Sequence, residues 1–301
     1  MQQEFLQHII NGISLGSIYA LIALGYTMVY GILKLINFAH ADVYMVGAFA
    51  AYYTAKYLGI ESSPGLPTLL ILLGASILAC ALLGLLIERL AYRPLQHAPR
   101  LNLLITAIGV SLLLEYSAQV IFGPNPKVFP NVINDAVFLD LGAAKVRSFD
   151  VIILVIGLIS MGALHFIIRH TRAGRAMRAV STSPTVASLM GVNTNRIVAF
   201  TFVLGSALAG VGSVLVGMKY PKIDPLMGLL IGLKAFVAAV LGGIGSVPGA
   251  VLGGVIMGLS EEMVVAYLSS TYRDAFAFGV LIVILIFKPT GLLGKNQTEK
   301  V

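Results

Sequence analysis

Long apolar runs dominate this chain and decide what it can fold into. The stretches VIILVIGLISMGALHFII (151–168) and IVAFTFVLGSALAGVGSVLVG (197–217) hold no acidic residue, lysine or arginine. Roughly 20 such residues are the length that a membrane-spanning helix needs, whereas the strands of a membrane barrel alternate apolar and polar residues. Only 11% of the residues are charged, against about a quarter in soluble domains. The sequence therefore predicts an all-α, polytopic transmembrane helical bundle.

Similar runs recur along the whole chain. They predict about nine membrane spans, within a range of roughly eight to ten, near residues 6–29, 38–58, 66–87, 103–122, 150–168, 197–217, 226–241, 249–267 and 275–288. The last run is short for a full crossing, and the run at 226–241 is a candidate for a discontinuous helix. No polar stretch reaches 30 residues, so the chain forms a single transmembrane domain over residues 1–301.

Positive charges in the short loops predict the orientation of these spans. Three arginines lie at 88–100 and five lie at 169–196, which places both loops on the cytoplasmic side. The loop at 123–149 and the N-terminus then face outward, while the tail at 295–301, with two lysines, faces the cytoplasm. Topology therefore explains the formal net charge of +7, without nucleic acid as a partner.

The stretch NFAHADVY (37–44) places polar side chains at the start of the second span. A helical spacing puts Asn37, His40 and Tyr44 near one face, and Asp42 points elsewhere. Such groups inside a membrane usually face a bundle interior or a cavity, so these four residues are candidates for a translocation path or gate. Alternatively, Asn37 caps the helix and Asp42 interacts with the dipole of its first turn.

The stretch LGGIGSVPGAVLGG (241–254) is too rich in glycine for a stable helix interior. It predicts a break between two helices, and non-helical backbone at membrane depth is tolerated only against protein or a water-filled cavity. An ordinary interhelical turn is the alternative. The further candidates for the path or gate are Gly242, Gly243, Gly245 and Pro248.

Two further patterns concern how the helices pack. Glycine pairs at GxxxG spacing allow close approach, either within one bundle or at a seam between subunits. These pairs are Gly12/Gly16, Gly228/Gly232, Gly249/Gly253 and Gly254/Gly258. Charged residues in or near the apolar runs suit ties across helices, since a Lys–Glu pair eases the burial of both partners. These residues are Glu115, Lys234, Glu261 and Glu262.

The segment RHTRAGRAMRAVS (169–181) is a basic island between two apolar spans. Its arginines, Arg169, Arg172, Arg175 and Arg178, stand at every third residue. On a helix such a repeat drifts by about 60° per step, so the arginines sweep half of the circumference. This arrangement suits lipid headgroups and contact with a partner, and simple retention of positive charge in the cytoplasm is the alternative.

A short helix is predicted directly after the basic island. Ser183 suits its N-cap and Pro184 its first position, while Gly191 suits the residue after its end. About two helical turns are not stable alone in water, so this piece needs a partner to pack on. Ala187 and Gly191 are small and four residues apart, which lets another surface come close. The sequence therefore predicts a docking helix inside the cytoplasmic loop 169–196.

Five stretches together resemble a known family. They are NGISLGSIYALIALGYTMVYGILKLINFAHADVYMVGAF (11–49), ERLAYRPL (88–95), GRAMRA with ASLMGVNTNRIVAFTFVLGSALAG (174–210), KAFVAAVLGGIGSVPGAVLGG (234–254) and KPTGLLG (288–294). The chain is similar in them to permease subunits of branched-chain amino-acid ABC importers of the LivH type. The resemblance implies a multi-pass subunit of the bacterial inner membrane. Its implied partners are a homologous second permease, two cytoplasmic ATPases and a periplasmic binding protein.

The resemblance also implies roles for single residues. The segment 182–193 resembles the coupling helix that fits a groove on the ATPase, with Ala187 and Gly191 at the small positions of that motif. Thr182 and Ser183 depart from the family pattern, because relatives commonly have an acidic residue there. The residues assigned to ATPase coupling are Arg172, Gly174, Arg175, Arg178, Ser183, Pro184, Ala187, Gly191 and Asn193.

The sequence predicts a transport subunit rather than an enzyme. It contains no GxxxxGK[ST], HExxH or GxSxG motif and no paired Cys/His pattern for a metal. We therefore expect no cofactor on this chain, while the partner ATPases use ATP and Mg²⁺. The expected cargo is leucine, isoleucine or valine. The alternatives are a related importer for urea or short amides, and a self-sufficient carrier or channel based on His40, Asp42, Glu115 and Glu261.

Overall fold

The computed structural model describes residues 2–96, 98–140 and 144–294 and shows a bundle of helices. The predicted lysines of the tail, Lys295 and Lys300, lie outside the described residues. The helices are α1 (Gln2–Leu33), α2 (His40–Leu58), α3 (Leu66–Ile87), α4 (Arg100–Phe122), α5 (Ser148–His170), α6 (Arg172–Thr182), α7 (Pro184–Leu189), α8 (Thr194–Lys219), α9 (Met227–Gly242), α10 (Val247–Tyr267) and α11 (Arg273–Phe287). Short strands are β1 (Lys127–Val128), β2 (Val137–Asp140), β3 (Lys145–Arg147) and β4 (Lys222–Ile223). A π-helical turn (Glu88–Tyr92) and a 3-10 turn (Arg93–Leu95) extend α3, and a second 3-10 turn (Ser270–Tyr272) precedes α11.

Each of the nine predicted apolar runs forms a helix. In the described part of the chain, seven helices are long and apolar enough to cross a membrane, so the polytopic all-α prediction is confirmed. The other two predicted spans are α2, which carries charged residues, and α9, which has only 16 residues. The discontinuity considered for 226–241 is wrong, because α9 is unbroken.

Helices α1 and α8 form the centre of the bundle. In their most apolar windows 78% and 67% of the residues are buried, against 17% in α4 and α5 and 6% in α11. The outer helices therefore present leucine, isoleucine and valine side chains to their surroundings, as helices in contact with lipid or with another subunit do.

Glycine allows α1 and α10 to approach closely. A Cβ atom on Gly16 would lie 2.7 Å from the Cα atom of Val255, and Gly12 faces Leu259 in the same way. The remaining GxxxG pairs also contact neighbouring helices of this chain, so every predicted pair serves packing inside the bundle.

Replacing Gly16 by alanine is expected to destabilise the protein by about 1–3 kcal/mol, because the added methyl group overpacks the contact between α1 and α10. Gly109 of α4 provides the control, since no heavy atom lies within 4 Å of a Cβ placed there. Gly109→Ala is expected to leave stability unchanged or to raise it by up to about 1 kcal/mol. Thermal unfolding of the purified protein checks both variants, and equal melting temperatures would contradict the close packing.

The two ends of the bundle collect different loops. At one end, Gln96 after α3 lines the same cleft as Pro184 and Ser188 of α7. At the other end, the backbone N–H of Lys145 donates a hydrogen bond to the side-chain oxygen of Gln7 at 2.8 Å. The antiparallel pairs β1–β4 and β2–β3 belong to the loops of that end. The two arginine-rich loops therefore share one end, as predicted, and the side of the membrane that it faces stays a prediction.

Candidate functional site

The short helix α7 begins and ends as the sequence predicts. The Ser183 hydroxyl oxygen accepts a hydrogen bond from the backbone N–H of Val186 at 3.3 Å, and Pro184 lies in the first turn. The chain leaves the helix through Gly191, whose φ of +83° favours glycine. Asn193 then caps α8 with its side-chain oxygen. Local capping therefore explains why this short stretch forms a helix of defined length.

The outward face of α7 is apolar. Val186, Leu189 and Met190 are exposed, the last two to 82% and 80%. Ala187 is buried against its own chain, so the expected small surface of Ala187 and Gly191 is wrong for Ala187. A helix of six residues depends on its contacts, and clustered exposed apolar side chains mark interaction sites. The face formed by Val186, Leu189 and Met190, here called the α7 face, is therefore a candidate docking surface.

The arginines of the basic island do not lie on one helix. Arg169 lies in the last turn of α5, and Arg172 and Arg175 lie exposed on α6 after a turn of the chain. Arg178 also lies on α6, but its guanidinium donates a hydrogen bond to the carbonyl oxygen of Ile168 in α5. The predicted sweep along one helix is wrong because α5 ends between Arg169 and Arg172, and Arg178 ties the two helices together.

A tight joint connects α5 to α6. The Thr171 hydroxyl oxygen caps α6 by accepting a hydrogen bond from the backbone N–H of Gly174 at 3.0 Å. A Cβ atom on Gly174 would clash with the carbonyl oxygens of Ile167 and Ile168. Only glycine therefore allows α6 to pack this closely against the end of α5. Met177, one helical turn further along α6, is also buried in the core.

A cleft of about 660 Å³ adjoins α7. It lies between α7, the start of α8, the end of α1 and the turn after α3. Uncharged polar side chains line half of it: Gln96, Thr185, Ser188, Asn193, Thr194 and Asn195. The α7 face and a polar recess therefore adjoin at the same end of the bundle.

The start of α2 holds buried polar side chains. The four predicted residues are at most 3% exposed: Asn37, His40, Asp42 and Tyr44. Asn37 lies before the helix, and its side-chain oxygen accepts a hydrogen bond from the Tyr92 hydroxyl at 3.0 Å. The alternative that Asn37 caps α2 is wrong, because Ala39 is the N-cap residue and no side chain caps the helix. Asp42 lies in the first turn, as that alternative also proposed.

Helix α2 begins inside the bundle rather than at its end. A Cβ atom on Gly25 of α1 would clash with the His40 imidazole, and Gly25 also lies against Gly205, near the middle of α8. The chain thus re-enters the bundle after α1. In the described structure His40 Nε2, Asp42 Oδ1 and the Tyr44 hydroxyl have no hydrogen-bond partner. No group of three or more metal-ligating side chains occurs among the described residues.

The glycine-rich break between α9 and α10 is shorter than predicted. It covers residues 243–246, with positive φ at Gly243 and Gly245, and Ser246 caps α10. Gly242 ends α9 and Pro248 lies in the first turn of α10. The rest of the predicted break is helical, because its glycines let α10 pack directly on the backbone of α9.

The segment after α11 covers this turn. The backbone N–H groups of Leu292 and Leu293 donate to the carbonyl oxygens of Leu241 and Gly242 at 2.8 and 2.9 Å. The last carbonyls of α9, which have no partner within the helix, are thereby satisfied. The structure therefore shows an interhelical turn held by a strap, and a role of these glycines in a path or gate stays a prediction.

A network of charges around the buried Glu261 and Lys234 joins four helices. The Glu261 carboxylate forms ion pairs with Lys234 and Arg273, each at 3.0 Å, and accepts a hydrogen bond from the Tyr19 hydroxyl at 2.8 Å. Lys234 also pairs with Asp274 at 2.6 Å. The sequence named Lys234 and Glu261 among the candidates for a Lys–Glu tie without pairing them, and it missed Arg273 and Asp274. The acidic and basic residues at the start of the last apolar run were the available signal.

Comparison with known proteins agrees with this architecture. A family model described as "Branched-chain amino acid transport system / permease component" matches residues 8–285. The chain belongs to this permease family. Membership confirms the resemblance found in the sequence, and it identifies the bundle as a transport permease.

Several relatives match this permease over nearly its whole length. It is 44% identical to the high-affinity branched-chain amino acid transport system permease protein LivH of Salmonella typhimurium, over 99% of this chain and 98% of that protein. It is 42% identical to the corresponding protein BraD of Pseudomonas aeruginosa, over 99% and 98% of the two chains. The permease protein LivM of Salmonella typhimurium is more distant, at 26% identity over 94% of this chain and 69% of LivM.

Proposed function

We propose that this permease is the membrane-spanning subunit of an ATP-driven importer for leucine, isoleucine and valine in a bacterial inner membrane. The α7 face carries this proposal, because it presents exposed apolar side chains outside the membrane-spanning helices, where a partner can pack on them. Its partners are two cytoplasmic ATPases, a second homologous permease and a periplasmic binding protein that delivers the amino acid. The named function of the relatives supports the cargo. The ATPases bind ATP and Mg²⁺, and we expect no cofactor on this chain.

In this proposal the α7 face receives the motion of the ATPase. The joint at Gly174 and the hydrogen bond from Arg178 to α5 pass a displacement of α7 and α6 to α5. The Asn193 cap passes it directly to α8, a central helix. A rigid connection matters here, because a loose loop would absorb the displacement instead of changing which side of the bundle is open.

Replacing Leu189 and Met190 by aspartate tests the docking role. We expect at least about a tenfold loss of ATPase co-purifying with the permease, since charges at a desolvated contact are costly. Leucine uptake should fall in parallel. Leu268→Asp is the matched control, because Leu268 is 72% exposed and lies in the loop between α10 and α11, away from α7. Normal assembly and uptake in the double variant would exclude the α7 face as the ATPase contact.

The same uptake assay separates the alternatives. Uptake of labelled urea but not of labelled leucine would identify the chain as part of a related importer for urea or short amides. A self-sufficient carrier is favoured by one observation, the buried carboxylates of Asp42 and Glu115. Leucine uptake by this chain alone, driven by a proton gradient without ATPases, would replace the importer by that carrier.

A further inference from the structure

Asp42 is a buried carboxylate with one unused oxygen. The residue is 1% exposed, and one carboxylate oxygen accepts a hydrogen bond from the Ser111 hydroxyl of α4. The other oxygen, Oδ1, has no hydrogen-bond partner in the described structure. The dipole at the start of α2 eases the negative charge. The helix dipole does not replace a hydrogen-bond donor, so the unpartnered Oδ1 is a position at which a ligand could donate a hydrogen bond.

A second carboxylate lies on the same face of α4. Glu115 follows Ser111 by four residues, one helical turn, and is 7% exposed. The contact of Ser111 with Asp42 therefore brings Glu115 near Asp42 where α4 packs on α2. Neither carboxylate forms an ion pair with any side chain that the structure describes. Two acidic groups therefore share an apolar environment without a positive charge between them, which is unfavourable unless a cation or protons bind.

The space beside Asp42 is closed in this conformation. A Cβ atom on Gly228, at the start of α9, would lie 2.5 Å from the carbonyl oxygen of Ala41 and 3.3 Å from Asp42 Oδ1, so a ligand reaches this oxygen only when the surrounding helices move apart. Lys234 on the same helix is occupied by Glu261 and Asp274, so it does not neutralise Asp42. Only 17% of the apolar window of α4 is buried inside this chain, so α4 has few internal contacts to lose if it moves away from Asp42.

We propose that Asp42 and Glu115 together bind the α-ammonium group of the amino acid as it crosses the permease. This inference rests on the proposed function, since it assigns a subsite for that cargo. An amino acid carries the missing cation, whereas urea and short amides are neutral. The Ser111 hydroxyl orients Asp42 so that Oδ1 faces the passing ligand. The site therefore discriminates by charge, while the apolar helices around it tolerate different aliphatic side chains.

The test is equilibrium binding of labelled leucine to the assembled transporter in lipid nanodiscs, without the binding protein. The competitor is the hydroxy acid analogue of leucine, in which a hydroxyl replaces the ammonium group. We expect the unaltered transporter to prefer leucine by at least about tenfold, the effect of a charged hydrogen-bonded contact. Asp42→Asn and Glu115→Gln should each abolish most of that preference. An unaltered transporter without the preference, or variants that keep it, would overturn the proposal.

Three controls separate an ammonium site from a structural role of the two carboxylates and from failed assembly. Glu262→Gln changes a membrane-helix carboxylate that already contacts His8 and Asn11, and it should keep the preference. Asp42→Asn and Glu115→Gln remove unpaired charges, so their melting temperatures should not fall, and a large fall would assign the carboxylates to the fold instead. Co-purification of the ATPases is measured on the same samples. Intact assembly with an unchanged preference rejects the ammonium site alone, whereas absent assembly rejects the importer.

Discussion

Replacing Glu261 by methionine is expected to destabilise the permease by about 3–5 kcal/mol, the cost of breaking a buried ion pair from one side. Glu261 is the shared partner of Lys234, Arg273 and Tyr19. Methionine keeps the volume and removes the charge, so the variant leaves a buried ammonium group with Asp274 alone. The effect is large because Lys234 and Glu261 are at least nine-tenths buried, where water cannot replace the lost partner.

A double-mutant cycle isolates this interaction. The variant with both Lys234 and Glu261 replaced by methionine should be more stable than Glu261→Met, because it removes the buried ammonium group and leaves only the partly exposed Arg273 and Asp274 without these partners. Thermal or denaturant unfolding of the purified protein measures the four members of the cycle. Glu262→Met is the control, since its neighbours are a histidine and an asparagine, and its effect should be the smaller one. Additive losses from the two single changes would show that Lys234 and Glu261 do not stabilise each other.

Replacing Gly174 by alanine is expected to lower leucine uptake by at least about tenfold. The new methyl group would meet the carbonyl oxygens of Ile167 and Ile168, which are backbone atoms and cannot move aside without distorting α5. The helix α6 must then shift, and α7 shifts with it. Because the α7 face is the proposed contact with the ATPase, transport should suffer more than global stability.

Gly162→Ala provides the comparison for this change. Gly162 also lies on α5, but no heavy atom lies within 4 Å of a Cβ placed there. Its uptake should match that of the unaltered permease. ATPase activity in the assembled complex shows whether Gly174→Ala uncouples hydrolysis from transport or prevents docking. Uptake at normal levels in Gly174→Ala would mean that the joint between α5 and α6 has no part in coupling.

Apolar runs predicted the helices well because membrane spans are encoded locally. The third run, 66–87, coincides with α3, and Ser183, Pro184 and Gly191 bounded α7 through capping preferences that act within a few residues. Capping preferences could not predict that Ala187 lies on the buried face of α7. A helix of fewer than two turns has no apolar periodicity from which its buried face could be deduced.

Contacts between distant residues could not be predicted from one sequence. Tyr19 and Glu261 are 242 positions apart, and Lys234 and Glu261 are 27 apart. Burial favours ion pairing of these charges on energetic grounds, yet only the crossing of the helices selects the partners. Likewise, the sequence placed polar residues at the start of α2, but the re-entry of the chain that buries His40 beside Gly25 is a tertiary feature.

The strap formed by Leu292 and Leu293 has a consequence for biogenesis. Two carbonyl groups at the end of α9 accept hydrogen bonds from the backbone N–H groups of Leu292 and Leu293. These donors are synthesised only after α10 and α11. Until then the end of α9 lacks two of its hydrogen bonds, and a buried backbone group without a partner is costly. The turn between α9 and α10 is therefore completed only when the segment after α11 has been made, and a chain that stopped directly after α11 would lack these two bonds.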